Sequence, residues 1–186
     1  MKRFTILAAT LLLSLSLAAG TAEDLLRLHK SGETYTTAFT EVKNMPKAHR
    51  ETTKKGNLTF RAPSYLKMDY TDPKGEYTLF DTNVFDRCRG GKVTHVPAKK
   101  GSQYDLFRSM ILLSFAGDCE AIARQNEAKA VYTKKDGKIL VDITTTKAHT
   151  YSLKLTYNAT SGRMTEMVLI EPNGNYTTYS VIGICK

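Results

Sequence analysis

Cysteine is scarce and odd in number: Cys88, Cys119 and Cys185 are the three in 186 residues. None lies in a CxxC or another metal-ligand spacing, which speaks against a zinc site. One disulfide beside a free thiol, or three reduced buried thiols, are both open. Long apolar runs are missing as well. The one candidate, Phe4 to Ala19, is shorter than the roughly 20 residues a bilayer helix needs, and Thr10, Ser14 and Ser16 interrupt it. Neither HExxH nor GxSxG occurs, so the four histidines come without a hydrolase signature. Acidic residues are in the minority, 18 against 27 lysines and arginines.

What is present begins at the front. Met1, Lys2 and Arg3 precede the apolar run, and small residues follow it through Gly20, Thr21 and Ala22. That order is the pattern of a secretory signal peptide over residues 1–22, leaving an exported chain over residues 23–186. No cysteine stands at the cleavage point, so no lipid is expected on the new N-terminus. Removing residues 1–22 from 186 leaves 164, a length that fits one domain with one core. The formal charge of +9 falls to +7 when Lys2 and Arg3 leave. The remaining basic residues are spread along the chain, with short clusters such as Lys54-Lys55, Lys99-Lys100 and Lys134-Lys135 where hairpin ends are expected. With no nucleic-acid motif beside them, they read as solvated loops.

The apolar period then assigns elements. Leu25, Leu26 and Leu28 suggest an amphipathic helix over Glu23 to Lys30, continuing past Gly32 toward Phe39 and Val42. From there the period is two. Strands are expected at Asn57–Arg61, Tyr65–Tyr70, Glu76–Thr82, Val84–Cys88 and Lys92–Val96, and again at Ala130–Lys134, Lys138–Thr144, Thr150–Tyr157, Arg163–Glu171 and Asn175–Ile184. Gly90-Gly91, Asp136-Gly137, Ser161-Gly162 and Asn173-Gly174 punctuate them as turns. Between the two runs, Ser102 caps a helix to about Phe115 and Asp118 caps another to about Asn126. The first of these helices carries Leu106, Phe107, Met110, Ile111, Leu112, Leu113 and Phe115 around most of its circumference, so it must cover an apolar surface. Tyr151, Leu153, Leu155 and Tyr157 share one strand face, whereas Met167 to Ile170 is apolar on both, which predicts local cover on both sides of the sheet. The fold class is α+β: about ten antiparallel strands with two helical inserts point to a strongly curved sheet or open barrel with helices on one side.

Several segments resemble a family. Lys55-Gly56-Asn57-Leu58-Thr59-Phe60-Arg61-Ala62-Pro63, followed by Leu66-Lys67-Met68-Asp69-Tyr70, is similar to the G-x-L-x-hydrophobic-x-x-P signature of periplasmic lipoprotein carriers of the LolA type. Thr37-Ala38-Phe39-Thr40-Glu41, Leu113-Ser114-Phe115-Ala116-Gly117-Asp118 and the stretch from Gly162 to Tyr179 fit the same template in order. The resemblance implies an unclosed antiparallel β-barrel with helices packed as a lid over its concave face, and a monomeric periplasmic carrier that shelters the acyl chains of lipoprotein cargo and shuttles it from the inner to the outer membrane. Its partners would be an ATP-driven release complex in the inner membrane and an outer-membrane acceptor, if one exists. No cofactor and no metal are implied. Leu58, Phe60, Leu66, Met68 and Tyr70 would face the cavity, with Leu79 beside them. Phe107, Met110, Ile111 and Leu113 would form the inner face of the lid. The family often has an inward arginine before the motif proline; Ala62 stands there, and Arg61 should point to the other face.

Other classes are weighed against this one. Cys119, His149 and Asp142 could meet as nucleophile, base and orienting acid, but no motif accompanies them, and an enzyme is not expected. A lipid- or lipoprotein-sensing interaction module, or a carrier of another amphiphile, would use the same scaffold.

Overall fold

The computed structural model describes residues 21–28, 33–97, 99–145 and 150–182. The leader assigned to residues 1–22 therefore lies almost wholly outside the described residues, as do His149 and Cys185. Residues 21–28 are helical (α1), and Leu25 is wholly buried whereas Leu26 is exposed.

The helix does not continue toward Val42. Residues Thr34–Met45 form a strand, β1, whose Tyr35, Thr37, Phe39 and Glu41 are all buried. Threonines and the aromatics Tyr35 and Phe39 favour extended backbone, and the inward set has period two. A short 3-10 turn at Pro46–Ala48 leads into β2 (Arg50–Arg61), then β3 (Tyr65–Asp72), β4 (Lys74–Phe80), β5 (Val84–Arg89) and β6 (Lys92–Pro97). Helices α2 (Gln103–Phe115) and α3 (Cys119–Gln125) follow, each capped as the sequence predicts. Ser102 Oγ accepts from the Asp105 N–H at 3.1 Å, and Asp118 Oδ1 from the Ala121 N–H at 3.0 Å. The remaining strands are β7 (Ala128–Lys135), β8 (Lys138–Thr145), β9 (Ser152–Asn158), β10 (Met164–Ile170) and β11 (Tyr176–Val181).

All eleven strands belong to one sheet of order β6-β5-β4-β3-β2-β1-β11-β10-β9-β8-β7, antiparallel throughout. It is a curved, unclosed barrel with helices, as expected. The Asp136-Gly137 turn takes positive φ at both positions (51° and 70°), the twist that a two-residue hairpin requires. Two meanders meet at the central β1–β11 pair, and the chain crosses from the β6 edge to the β7 edge through α2 and α3. One hydrophobic core joins the two halves of the sheet to the helices. Among the described residues no second layer covers both faces at Met167–Ile170. Met167 and Leu169 are buried, but Val168 and Ile170 are half-exposed on the convex side. There Val168 pairs with Lys154 and Thr178, and Ile170 with Tyr176.

Candidate binding cavity

The inner face of the β1–β6 half is laid down by register. Leu58 pairs with Met68, Phe60 with Leu66 and Gly56 with Tyr70, so β2 and β3 present one apolar patch. Leu58, Phe60 and Leu66 are wholly buried, and Met68 and Tyr70 nearly so. Leu79 is not beside them. It pairs with Lys67, whose neighbours in sequence point inward, and therefore faces the convex side. Phe80, opposite Leu66, takes the inward place and is buried. The other half contributes Ile139, Val141, Ile143, Leu153, Leu155 and Tyr157.

Helix α2 closes this face. Met110 and Ile111 are buried; Phe107 and Leu113 are partly buried and packed against the core. Leu112 and Phe115, not assigned to the lid's inner face from sequence, are buried as well, and the Phe115 ring lies 5.7 Å from that of Phe60. Phe107 reaches the rings of Phe80, Phe85 and Tyr151 at 6.1, 6.3 and 5.6 Å. Tyr104 and Leu106 remain exposed, Tyr104 stacked beside the Phe85 ring at 6.3 Å and Leu106 at the rim of a cavity it shares with Met110 and Tyr151. An all-round apolar helix was legible in the sequence, but which of its residues are most buried depends on the rotation that packing imposes.

Two polar ties fasten the lid. The Tyr157 hydroxyl, on β9, donates to the Ser114 carbonyl at 2.7 Å inside the core. Arg108 Nη1 donates to the Asp81 carbonyl at 2.9 Å, beyond the end of β4, while Nη2 pairs with Asp105 at 2.7 Å. Arg108 holds the Asp105 carboxyl below the usual aspartate range, and the Gly101 N–H adds to this. Arg61 is exposed on the convex side over the Tyr65 ring, 3.9 Å from its centroid, so no arginine beside Ala62 reaches the lid. The tie comes instead from the helix.

One end of the concave face is polar. Tyr70 donates to the buried Glu41 at 2.5 Å; burial and that carboxylate push the phenol well above its ordinary value. Lys43 pairs with Glu171 at 2.7 Å and Lys54 with Glu76. Glu41, Lys43, Tyr70 and Glu171 border a cavity of about 150 Å³ that also touches Arg87, Arg89, Phe107 and Tyr151. Two further cavities, about 150 Å³ under Leu106 and Met110 and about 450 Å³ against Pro172 and Asn173, share Tyr151 with it. The gap between α2 and the sheet thus runs past Tyr151.

Of Cys119, His149 and Asp142, His149 lies outside the described residues, and the other two stand apart. Asp142 is exposed on β8, facing away from the core, where it lies 4.0 Å from Lys154. Cys119 is buried against the Tyr157 hydroxyl at 3.4 Å. Burial pushes its thiol up to about 12 despite that hydrogen bond, so it holds its proton at neutral pH. Cys88 is free and buried as well. Among the described residues no group of three or more His, Cys, Asp or Glu side chains could hold a metal, and no helix is long and apolar enough to cross a membrane.

No protein-family profile matches this chain, and no curated protein sequence does. Solved structures do. A putative outer membrane lipoprotein-sorting protein domain from Vibrio parahaemolyticus is 9% identical, over 90% of this chain and 91% of that one, with a TM-score of 0.46. A LolA superfamily protein from Nitrosomonas europaea is 10% identical over 89% and 91%, at 0.43. The Mycobacterium tuberculosis lipoprotein LppX is 11% identical over 90% and 94%, also at 0.43. Identities this low carry no residue of those proteins' sites over to this chain.

Proposed function

We propose that this protein is an exported carrier that shelters the acyl chains of lipoproteins beneath α2 and shuttles them between the two membranes of a bacterial envelope. The observation that carries the reading is the pairing of a concave apolar sheet with a lid that is apolar nearly all round and held by few polar ties. Each buried CH₂ is worth about 0.8 kcal/mol relative to water, so an acyl chain outside a bilayer needs shelter. An acyl chain entering past Tyr151 would displace Met110, Ile111 and Phe115 from the sheet and take over their contacts. That exchange is apolar for apolar and close to neutral, which lets cargo be taken up and released. Methionines at Met68 and Met110 suit the task, since an unbranched thioether repacks around chains of differing length. The sequence resemblance to LolA-type carriers supports the periplasm as the site of action, and a release complex and an acceptor as partners.

The test is native mass spectrometry of the protein purified without detergent from the envelope of its source, beside a Leu66→Glu variant. Wild type should carry a di- or triacylated species that the variant lacks, because a carboxylate at Leu66 would face the chains. Met68→Glu should behave in the same way. An empty wild-type protein that also ignores added acyl probes would reduce the concave face to an ordinary core and overturn the proposal.

A further inference from the structure

Two arginines at the polar end of the cavity stand apart from the rest. Arg87 and Arg89 are two residues apart on β5, so they share a face, and the pairing of Thr78 with Arg87 and of Phe80 with Phe85 makes it the concave one. Both border the cavity beside Phe107. Elsewhere guanidinium groups are accounted for. Arg27, Arg108 and Arg163 each pair with a carboxylate, Arg61 stacks on Tyr65, and Arg50 and Arg124 stand in solvent. Among the described residues Arg87 and Arg89 have no carboxylate within ion-pair distance.

The carboxylates nearby are already engaged. Glu41 accepts from Tyr70; Glu171 takes Lys43 with Asn173 and Asn175; Glu76 takes Lys54 and the Gly90 N–H. Two like charges thus line one small cavity without a contact ion pair, Arg89 acting on Glu76 only through space. One wall of that cavity is the Phe80–Phe107 pair, which continues into the apolar interior. A site with a charged end and an apolar floor fits a ligand of the same build.

We infer that Arg87 and Arg89 bind the oxyanion, phosphate or carboxylate, at the head of an amphiphile whose chain lies under α2. The position of the chain rests on the carrier reading; the arginines do not. Guanidinium–oxyanion hydrogen bonds are charge-assisted and can be bidentate; Arg87 is half-buried, where they are weakened less than in open water, and Arg89 is exposed at the rim of the same cavity.

The experiment compares dodecyl phosphate, dodecanol and inorganic phosphate as ligands by calorimetry at physiological salt. The proteins are the full mature chain, its Arg87→Gln/Arg89→Gln and Arg87→Lys/Arg89→Lys variants, and a Lys134→Gln/Lys135→Gln control for net charge. Wild type and control should bind dodecyl phosphate at least about tenfold more tightly than dodecanol. The glutamine pair should lose that preference while keeping its dodecanol affinity, and the lysine pair should regain part of it. Saturable binding of inorganic phosphate that the glutamine pair abolishes would support the same oxyanion site with a free anion as its ligand, even if neither amphiphile binds and the carrier reading falls. Equal affinity of wild type for dodecyl phosphate and dodecanol, or a preference that survives in the glutamine pair, overturns the inference and leaves the carrier standing. Binding of none of the three ligands overturns both.

Discussion

Gly56 marks the closest approach of β2 to its neighbours. A Cβ there would stand 2.2 Å from the Asp69 carbonyl oxygen and 2.9 Å from both Tyr70 Cα and Phe39 Cε1. Two of these atoms are backbone, and the site coincides with a shift in the β2–β3 register, so no rotamer change can make room. Phe39, paired with Gly56 across β1, lays its ring over the missing side chain and meets Tyr70 edge-on at 5.4 Å. Gly56→Ala should cost about 1–3 kcal/mol, read as a lower urea midpoint at unchanged slope. A midpoint within error of wild type would mean the strands can part there freely. The same parity argument explains Leu79. Strand β4 places Glu76, Thr78 and Phe80 inward and the apolar Tyr77 and Leu79 outward, so hydrophobicity alone points to the wrong face. Register, which a single sequence does not display, decides it.

At the scale of elements, the helices and ten of the strands were legible because each carries its own punctuation. Ser102 and Asp118 accept the first-turn N–H groups, glycines close the hairpins, and apolar residues alternate between. Strand β1 was not legible. Its inward positions are Tyr35, Thr37, Phe39 and Glu41, two of them polar, so the period-two signal is erased where the strand turns toward the polar end of the concave face. The lid's inner face was half legible for a similar reason: α2 is apolar nearly all round, and its rotation follows from what it packs against. Its fastening leads to a prediction. Tyr157→Phe leaves the Ser114 carbonyl without that donor, and Arg108→Gln removes the tie to Asp81. Each should speed amide hydrogen exchange across residues 103–115 and raise the rate at which a fluorescent fatty acid is taken up, leaving exchange in β9 and β10 unchanged. Unaltered exchange in α2 would show that packing alone holds the lid.

Taken whole, the molecule is two meanders sharing one core. Ile139, Leu153 and Met164 from one half and Leu58, Phe60 and Leu66 from the other belong to a single buried cluster with α2. Neither half can bury its inner face alone, so unfolding should be one cooperative event. Far-ultraviolet dichroism and tyrosine fluorescence should give coincident urea transitions; a gap between them would mean the halves come apart separately. The seam between them has a further consequence for how such a sheet comes into being. Along the first meander every strand pairs with its successor, and the second follows the same rule, but β1 joins β11, where Phe39 lies against Val181. A polypeptide emerging N-terminal end first can zip its first meander at once, yet β1 keeps one side bare until nearly everything else has emerged. For all that time the middle of the finished sheet is an open edge, one that a passing holdase or a neighbouring nascent chain can occupy before β11 arrives.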